Sequence, residues 1–340
     1  MSLLPPRPVR RLLLPVDAVV LLVLAIASAL VSVFGLLAAP LTSRRRALRL
    51  AAFALAYCTM ELAVMTASGV LWLRRAGLRP FRPQSQDEWI AANQSLLIWA
   101  LELVLGAARR CFGFQVVVVD PSDPTTLNKT DPVLVLARHG GPGDSFALVH
   151  LLLTRYRRRV RIVLKDILQL DPTLDLLLNR LGCCFLPAPS GDVTDVTASL
   201  GALACDLGAG DALLLFPEGG NWTPDRRRRA IRRLRRDHRT EAARAAALMT
   251  NVLPPRPGGV LACLAAHPGL DVVMVAHAGL DRVVRVGQAW NQLPLRTPMT
   301  VRAWRAAEVP EGEDQQLAWL TLEWAVVDEW VDACRAETTH

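Results

Sequence analysis

The chain has 340 residues, 52% hydrophobic and 21% charged, with a mean hydropathy of +0.27. That composition excludes a disordered or collagen-like chain. Lys and Arg total 39 against 31 Asp and Glu, a net charge of +8. Eight arginines in one run (Arg226–Arg229, Arg232, Arg233, Arg235 and Arg236) equal that excess and pose the question of an anionic partner. The seven cysteines (Cys58, Cys111, Cys183, Cys184, Cys205, Cys263, Cys334) show no C-x-x-C spacing. Their odd number and apolar surroundings exclude a disulfide framework or a zinc site and predict reduced, buried thiols.

In chain order, Ala18–Leu41 carries no charge, and Leu50–Leu73 carries only Glu61. A helix needs about 20 residues to cross the hydrocarbon core, so each run is long enough. Arg44, Arg45, Arg46 and Arg49 lie between them, and the pair is predicted to form a hydrophobic helical hairpin. The first run is too long for a signal-peptide core, and a second follows it. Basic residues flank both ends, tipping the positive-inside rule slightly toward cytosolic ends and predicting a catalytic domain on the cytoplasmic side of the cell membrane. A re-entrant hairpin stays open as an alternative. Leu96–Ala108, with Glu102 in its middle, is too short to span and is predicted to be an interfacial or core helix.

Beyond Cys111 the pattern changes. Short β-branched runs at Gln115–Val119, Pro132–Ala137, Val160–Leu164, Cys183–Leu186, Ala212–Phe216, Asp271–Ala276 and Met299–Trp304 alternate with helical stretches. The helices are predicted at Ser145–Arg157, Thr194–Leu207, Asp225–Met249, Gly259–Ala266 and Asp314–Cys334. Such alternation predicts an α/β domain with a mainly parallel sheet flanked by helices, and sites at the carboxyl ends of its strands. The organisation expected is 1–110 for the membrane-associated helices and 111–340 for one catalytic domain.

Two constellations carry chemistry. The strand Val133–Ala137 runs into Arg138-His139-Gly-Gly-Pro-Gly-Asp144-Ser145. On a continuous helix, residues five apart lie about 140° off one another. The intervening glycines and proline forbid that helix and permit a loop that returns the carboxylate to the imidazole. A His held in one tautomer by a carboxylate is a general base for an alcohol at neutral pH. The competing reading is that Asp144 or Ser145 caps the next helix while His139 ends a strand. Downstream, Phe216-Pro217-Glu218-Gly219-Gly220-Asn221 follows another strand. Its glycines let backbone amides approach a ligand, and Glu218 at the end of a buried strand calls for a polar partner, a bound group or local amides.

His139-x4-Asp144 and Phe216-Pro217-Glu218-Gly219, 79 residues apart and in this order behind apolar segments, resemble the motifs of the glycerolipid acyltransferases, the 1-acyl-glycerol-3-phosphate acyltransferase family. Val252-Leu-Pro-Pro-Arg256 resembles the family's later apolar-proline motif, and Lys165 a basic residue after the intervening strand. The resemblance implies direct transfer from an acyl thioester, acyl-CoA or acyl carrier protein, to a lysophospholipid hydroxyl, with no cofactor or metal. It implies His139 as base, Asp144 as its orienting carboxylate, and Lys165, Phe216, Pro217, Glu218, Gly219, Gly220 and Arg256 around the substrate. The family's F-P-E-G-T-R-S continues here as Gly220, Asn221 and Trp222, without the arginine, and the strand motif Cys183–Ser190 also lacks one. Head-group recognition then falls to Lys165, Arg256 or the Arg226–Arg236 run, with phosphatidic acid the expected product and a remodelling acceptor the alternative.

Other readings are open. Arg138-His139-Gly140 with His277 resembles the histidine phosphatases, in which both histidines would act on a phosphomonoester. Gly143-Asp144-Ser145 resembles the start of a G-D-S hydrolase block, but no D-x-x-H follows, so Ser145 is read as a capping residue. A non-catalytic membrane lipid-binding protein is a further alternative. On the helix predicted over 225–249, Ile231, Leu234, His238, Ala242 and Ala245 recur at helical spacing between basic faces. With aromatics at 6% and no nucleic-acid motif, that surface is predicted to meet anionic lipid and not nucleic acid.

Overall fold

The computed structural model of the protein describes residues 4–37, 45–78, 84–119, 130–141, 143–186, 193–280 and 293–337. Seven strands, β1 (Val116–Val118), β2 (Val133–Ala137), β3 (Arg159–Lys165), β4 (Cys184–Leu186), β5 (Asp211–Leu215), β6 (Asp271–Ala278) and β7 (Met299–Arg305), form one sheet in the order β1-β7-β6-β2-β5-β3-β4. The pairs β1/β7, β6/β2, β2/β5 and β5/β3 are parallel, and β6/β7 is antiparallel. The mainly parallel sheet expected from the alternating pattern is the one observed.

Every residue of β2 and β5 is buried. Strands covered on both faces read as continuous apolar runs, as Val-Leu-Val-Leu-Ala does. Nine helices are described: α1 (Arg7–Leu37), α2 (Arg45–Leu78), α3 (Gln86–Phe112), α4 (Asp144–Thr154), α5 (Val193–Cys205), α6 (Pro224–Arg236), α7 (Thr240–Leu248), α8 (Pro257–Ala266) and α9 (Glu313–Glu337). Leu134, Leu136, Leu213 and Met274 of the sheet pack with Leu200, Ala204, Val260, Cys263, Leu320 and Trp324 of α5, α8 and α9.

Two corrections concern helices. The single helix expected over 225–249 is broken after Arg236: Asp237, His238 and Arg239 turn the chain, with His238 in the left-handed region at φ 55°. Neither Gly nor Pro marks the break, so periodicity ran through it. The fold-back lets the Arg227 guanidinium reach the last carbonyls of α7, Ala246, Ala247 and Met249, at 3.2, 2.8 and 2.6 Å. The third apolar helix is also longer than the apolar stretch Leu96–Ala108. It runs Gln86–Phe112 behind a capping box of Ser85 and Glu88 and, like α1 and α2, is long and apolar enough to cross a membrane. Its first turns are polar, so a count of consecutive apolar residues did not reach it. Among the thiols, Cys205 is exposed, contrary to the expectation of uniform burial.

The chain divides into two compact units. One holds Met1–Phe114, Leu164–Ser190 and Leu293–Arg296; the other holds Gln115–Val163, Gly191–Gln292 and Thr297–His340. In the first, α1 packs on α2 and α2 on α3, and a 3-10 turn (Asp166–Leu170) with a π-helical turn (Leu174–Leu178) is tied to them by polar side chains. Arg10 and Arg11 pair with the buried Asp175 at 2.8 and 3.1 Å. The Thr173 amide donates to Glu61 at 3.1 Å, Tyr57 bonds Asp171, and Arg180 donates to the Ser68 carbonyl and Asn93. The second unit carries the constellations identified in the sequence.

Candidate active site

Strand register brings the site together. Leu136 lies opposite Leu215 and Ala137 opposite Val275. Counting on three residues from the first pair reaches His139 and Glu218; two from the second reaches His139 and His277. Three parallel strands with β2 in the middle therefore deliver these side chains to one level at one sheet edge, the carboxyl end where open α/β sheets bind ligands.

His139 leaves β2 into the glycine loop. At its end Gly143 caps α4 with φ 91°, a left-handed conformation that glycine adopts without a Cβ clash. Asp144 is then the first residue of α4, its carboxylate facing back along the chain. Oδ2 meets His139 Nδ1 at 2.8 Å and accepts from the amides of Gly140 and Gly141 at 2.9 and 3.2 Å. Oδ1 accepts from the Ser145 amide at 2.6 Å and its hydroxyl at 3.1 Å. Capping of α4 thus falls to Gly143, while Ser145 serves Asp144.

Burial pushes the Asp144 carboxyl up, but hydrogen bonds from His139 and His277 and their charge outweigh it and hold the group well below the usual range. The anion also sits at the amino end of α4, where the helix dipole favours it. With Nδ1 bound to Asp144, His139 keeps Nε2 as its free basic atom. Its side chain is 21% exposed and lies against the Phe216 ring, centroid to centroid 4.7 Å. This is a base of fixed tautomer, open to a ligand on one side.

Of the two partners open to Glu218, a bound group or local amides, the structure shows the amides. The Glu218 side chain does not face outward to a head group: the residue is 2% exposed. Oε1 accepts from the His139 amide at 3.2 Å and Oε2 from the Leu253 amide at 3.1 Å. Burial pushes this carboxyl up to about 8, against the Arg138 charge and the two amides, with Asp144 adding to the rise. Glu218 therefore ties the loops after β2 and β5 to Val252–Arg256. Pro217 joins the same tie, its carbonyl accepting from the Arg256 amide at 2.9 Å.

The glycine pair belongs to Arg256. Gly219 has φ 68°, and a Cβ there would stand 2.9 Å from Arg256 Cζ. At Gly220 the same atom would stand 3.4 Å from Arg226 Nη1. Arg256 is half-buried, with its pKa lowered by burial and by the charge of Arg233. Among the described residues no carboxylate or carbonyl engages its guanidinium. Two guanidinium groups thus crowd the turn beside Glu218 with excess positive charge. Lys165 ends β3, exposed, in the other compact unit. Pro187–Ser190 of the arginine-lacking strand motif lies outside the described residues.

The phosphatase resemblance does not survive burial. Arg138 is fully buried, its guanidinium on the carbonyls of Asn251 (2.7 Å) and His277 (2.7 Å), and His277 is fully buried too. Neither side chain is free to take a phosphate. Sequence reasoning also missed the Arg138 latch and its support: Asn251 is held through its amide by Asp328 of α9 at 2.5 Å. Only the apolar surroundings of Arg138 hinted at it.

No curated protein matches the chain. Among solved structures, it is similar to the 1-acyl-sn-glycerophosphate acyltransferase PlsC from Thermotoga maritima, at 14% identity and a TM-score of 0.46 over 82% of this chain and 98% of that one. The model of the acyltransferase family matches residues 118–277, from the end of β1 to His277, and so takes in His139, Asp144 and Phe216–Gly219. Over residues 118–277 the chain is thus similar to the acyltransferase family.

Proposed function

We propose that the protein is a membrane-bound O-acyltransferase that moves an acyl chain from acyl-CoA or acyl carrier protein to the hydroxyl of 1-acyl-glycerol-3-phosphate, giving phosphatidic acid. The observation that carries this reading is the 2.8 Å contact of His139 Nδ1 with Asp144, inside an acyltransferase domain. His139 Nε2 takes the acceptor's hydroxyl proton as that oxygen bonds to the thioester carbonyl carbon. The C–S bond breaks, and the proton leaves with the thiolate. No acyl-enzyme, metal or cofactor is required; orientation and proton transfer supply the rate.

Arg256, with Arg226 at the same turn, is assigned to the acceptor's phosphate, since its guanidinium is half-buried and takes no acidic partner among the described residues. The turn at Gly219 lies against that guanidinium, and Glu218 ties the loop that carries it to the His139 amide. The three apolar helices support residence in a membrane; the cytoplasmic side is assigned to the catalytic domain from the flanking basic residues alone. The exposed arginines of α6 support contact with anionic lipid at about 1 kcal/mol each.

The test is purified full-length protein in detergent with labelled acyl-CoA and a panel of lysolipids, read by mass spectrometry. Acylation of the phosphate monoester acceptor, abolished by His139→Ala while membrane association persists, is expected. Transfer only to zwitterionic or glycolipid acceptors would replace the acceptor assignment with a remodelling enzyme. Turnover retained by His139→Ala would overturn the mechanism.

A further inference from the structure

His277 is a buried titratable group for which the proposed mechanism has no use. It follows the apolar run Val272–Ala276 of β6 and is 0% exposed. An imidazole costs free energy at such a place unless its polar atoms are bonded. Nε2 lies 2.8 Å from the Arg138 carbonyl, which can only accept, so Nε2 carries the proton. The same Nε2 stands 3.4 Å from Asp144 Oδ2, the oxygen that holds His139. Nδ1 has no hydrogen-bond partner among the described residues, so the polar function of the ring is concentrated at Nε2.

The geometry closes a ring of contacts. His277 donates to the carbonyl of Arg138; Arg138 returns its guanidinium to the carbonyl of His277 at 2.7 Å. The end of β2 is thereby latched to the end of β6 one residue before His139. Charged and titratable groups face this point from each element around it: Arg138 and His139 from the β2 end, Asp144 from α4, and Glu218 from the β5 loop.

We propose that His277 is a positioning residue for acyl transfer: its Nε2–H, shared between the Arg138 carbonyl and Asp144 Oδ2, sets the orientation and hydrogen-bond strength of the carboxylate that holds His139. The inference rests on the reading of His139 as the base, yet its first readout does not need turnover. Removing a donor near Asp144 makes the carboxylate a stronger acceptor and stabilises the imidazolium of His139. A residue that merely fills the core would leave the titration of His139 where it is.

The experiment is a 15N-histidine NMR titration of full-length protein in detergent micelles, with His139 assigned by loss of its signal in His139→Ala. In His277→Phe the His139 midpoint is expected to rise by about half a pH unit or more, and in His277→Gln, whose amide N–H reaches as far as Nε2, to stay near the wild-type value. Where transfer is measured, kcat of His277→Phe falls roughly ten- to a hundredfold with KM little changed, as misplacement of a catalytic group produces. Should His277→Phe fail to fold by circular dichroism, His277→Asn, with an amide too short to reach Arg138, takes its place in the same comparison. A His139 midpoint that is the same in wild type and in a folded variant lacking the donor overturns the proposal. Absence of transfer in the wild type, with the titration shift of His277→Phe present, would count against the acyltransferase reading alone.

Discussion

Glu218 shows how one buried carboxyl makes stability depend on pH. Its ordinary value is 4.5 and its folded value about 8, so the folded chain holds this proton after the unfolded chain has lost it. The stabilisation is full below about pH 4.5 and drains away as pH rises toward 8, at up to about 1.4 kcal/mol per pH unit. Thermal unfolding of the wild type is expected to fall across that window relative to Glu218→Gln, which carries no titrating proton; parallel curves would show that burial is not controlling the group. Arg256 is a different case, a guanidinium without an acidic partner among the described residues. Arg256→Ala is expected to raise KM for a phosphate-bearing acceptor about tenfold, with kcat within a few-fold, as loss of one charge-assisted contact implies. An unchanged KM in steady-state kinetics would remove Arg256 from the acceptor site.

The helix α6 divides its arginines by task. Arg227 is half-buried and serves the carboxyl end of α7, where positive charge offsets the helix dipole. Arg228, Arg229, Arg232, Arg233, Arg235 and Arg236 are exposed. Arg227→Ala is therefore expected to lower stability by about 1 kcal/mol while leaving lipid binding intact. Changing Arg229, Arg232, Arg235 and Arg236 to Gln should do the reverse. Thermal melts and binding to vesicles with and without anionic lipid, at two salt concentrations, separate the two effects. The sequence identified this element as a basic helix but overran its end, because the break at His238 depends on where Arg227 can reach and on no local stop signal.

At the level of the whole molecule, the segment 164–190, which includes β4, belongs to the compact unit of the apolar helices. Asp175 is buried there between Arg10 and Arg11, and removing one side of a buried pair costs about 3–5 kcal/mol. A fragment beginning at Gln115 lacks both arginines, as well as Glu61 and Ser68. It is expected to melt well below the full chain and to aggregate, and the double variant Arg10→Ala, Arg11→Ala to show a smaller loss in the same melts. A fragment as stable as the full chain would mean that these polar ties contribute little.

Much of this was legible in the chain itself. Short apolar and β-branched runs located the seven described strands: β2 and β5, buried throughout, are continuously hydrophobic, whereas β3 and β7 alternate between buried and part-exposed positions. His139-x4-Asp144 announced its pairing, because glycines between the two forbid the helix that would separate them. What lies far apart in sequence was decided only by the tertiary structure. The register of β2 against β5 and β6 sets Glu218 and His277 level with His139, and burial turns Glu218 inward onto two amides and makes Arg138 a latch instead of a ligand. Those outcomes depend on which backbone groups lack partners once the sheet has closed, and no local pattern encodes that. Residue types and spacing determine that a base and its carboxylate exist; the packing of three strand ends determines how firmly they are held.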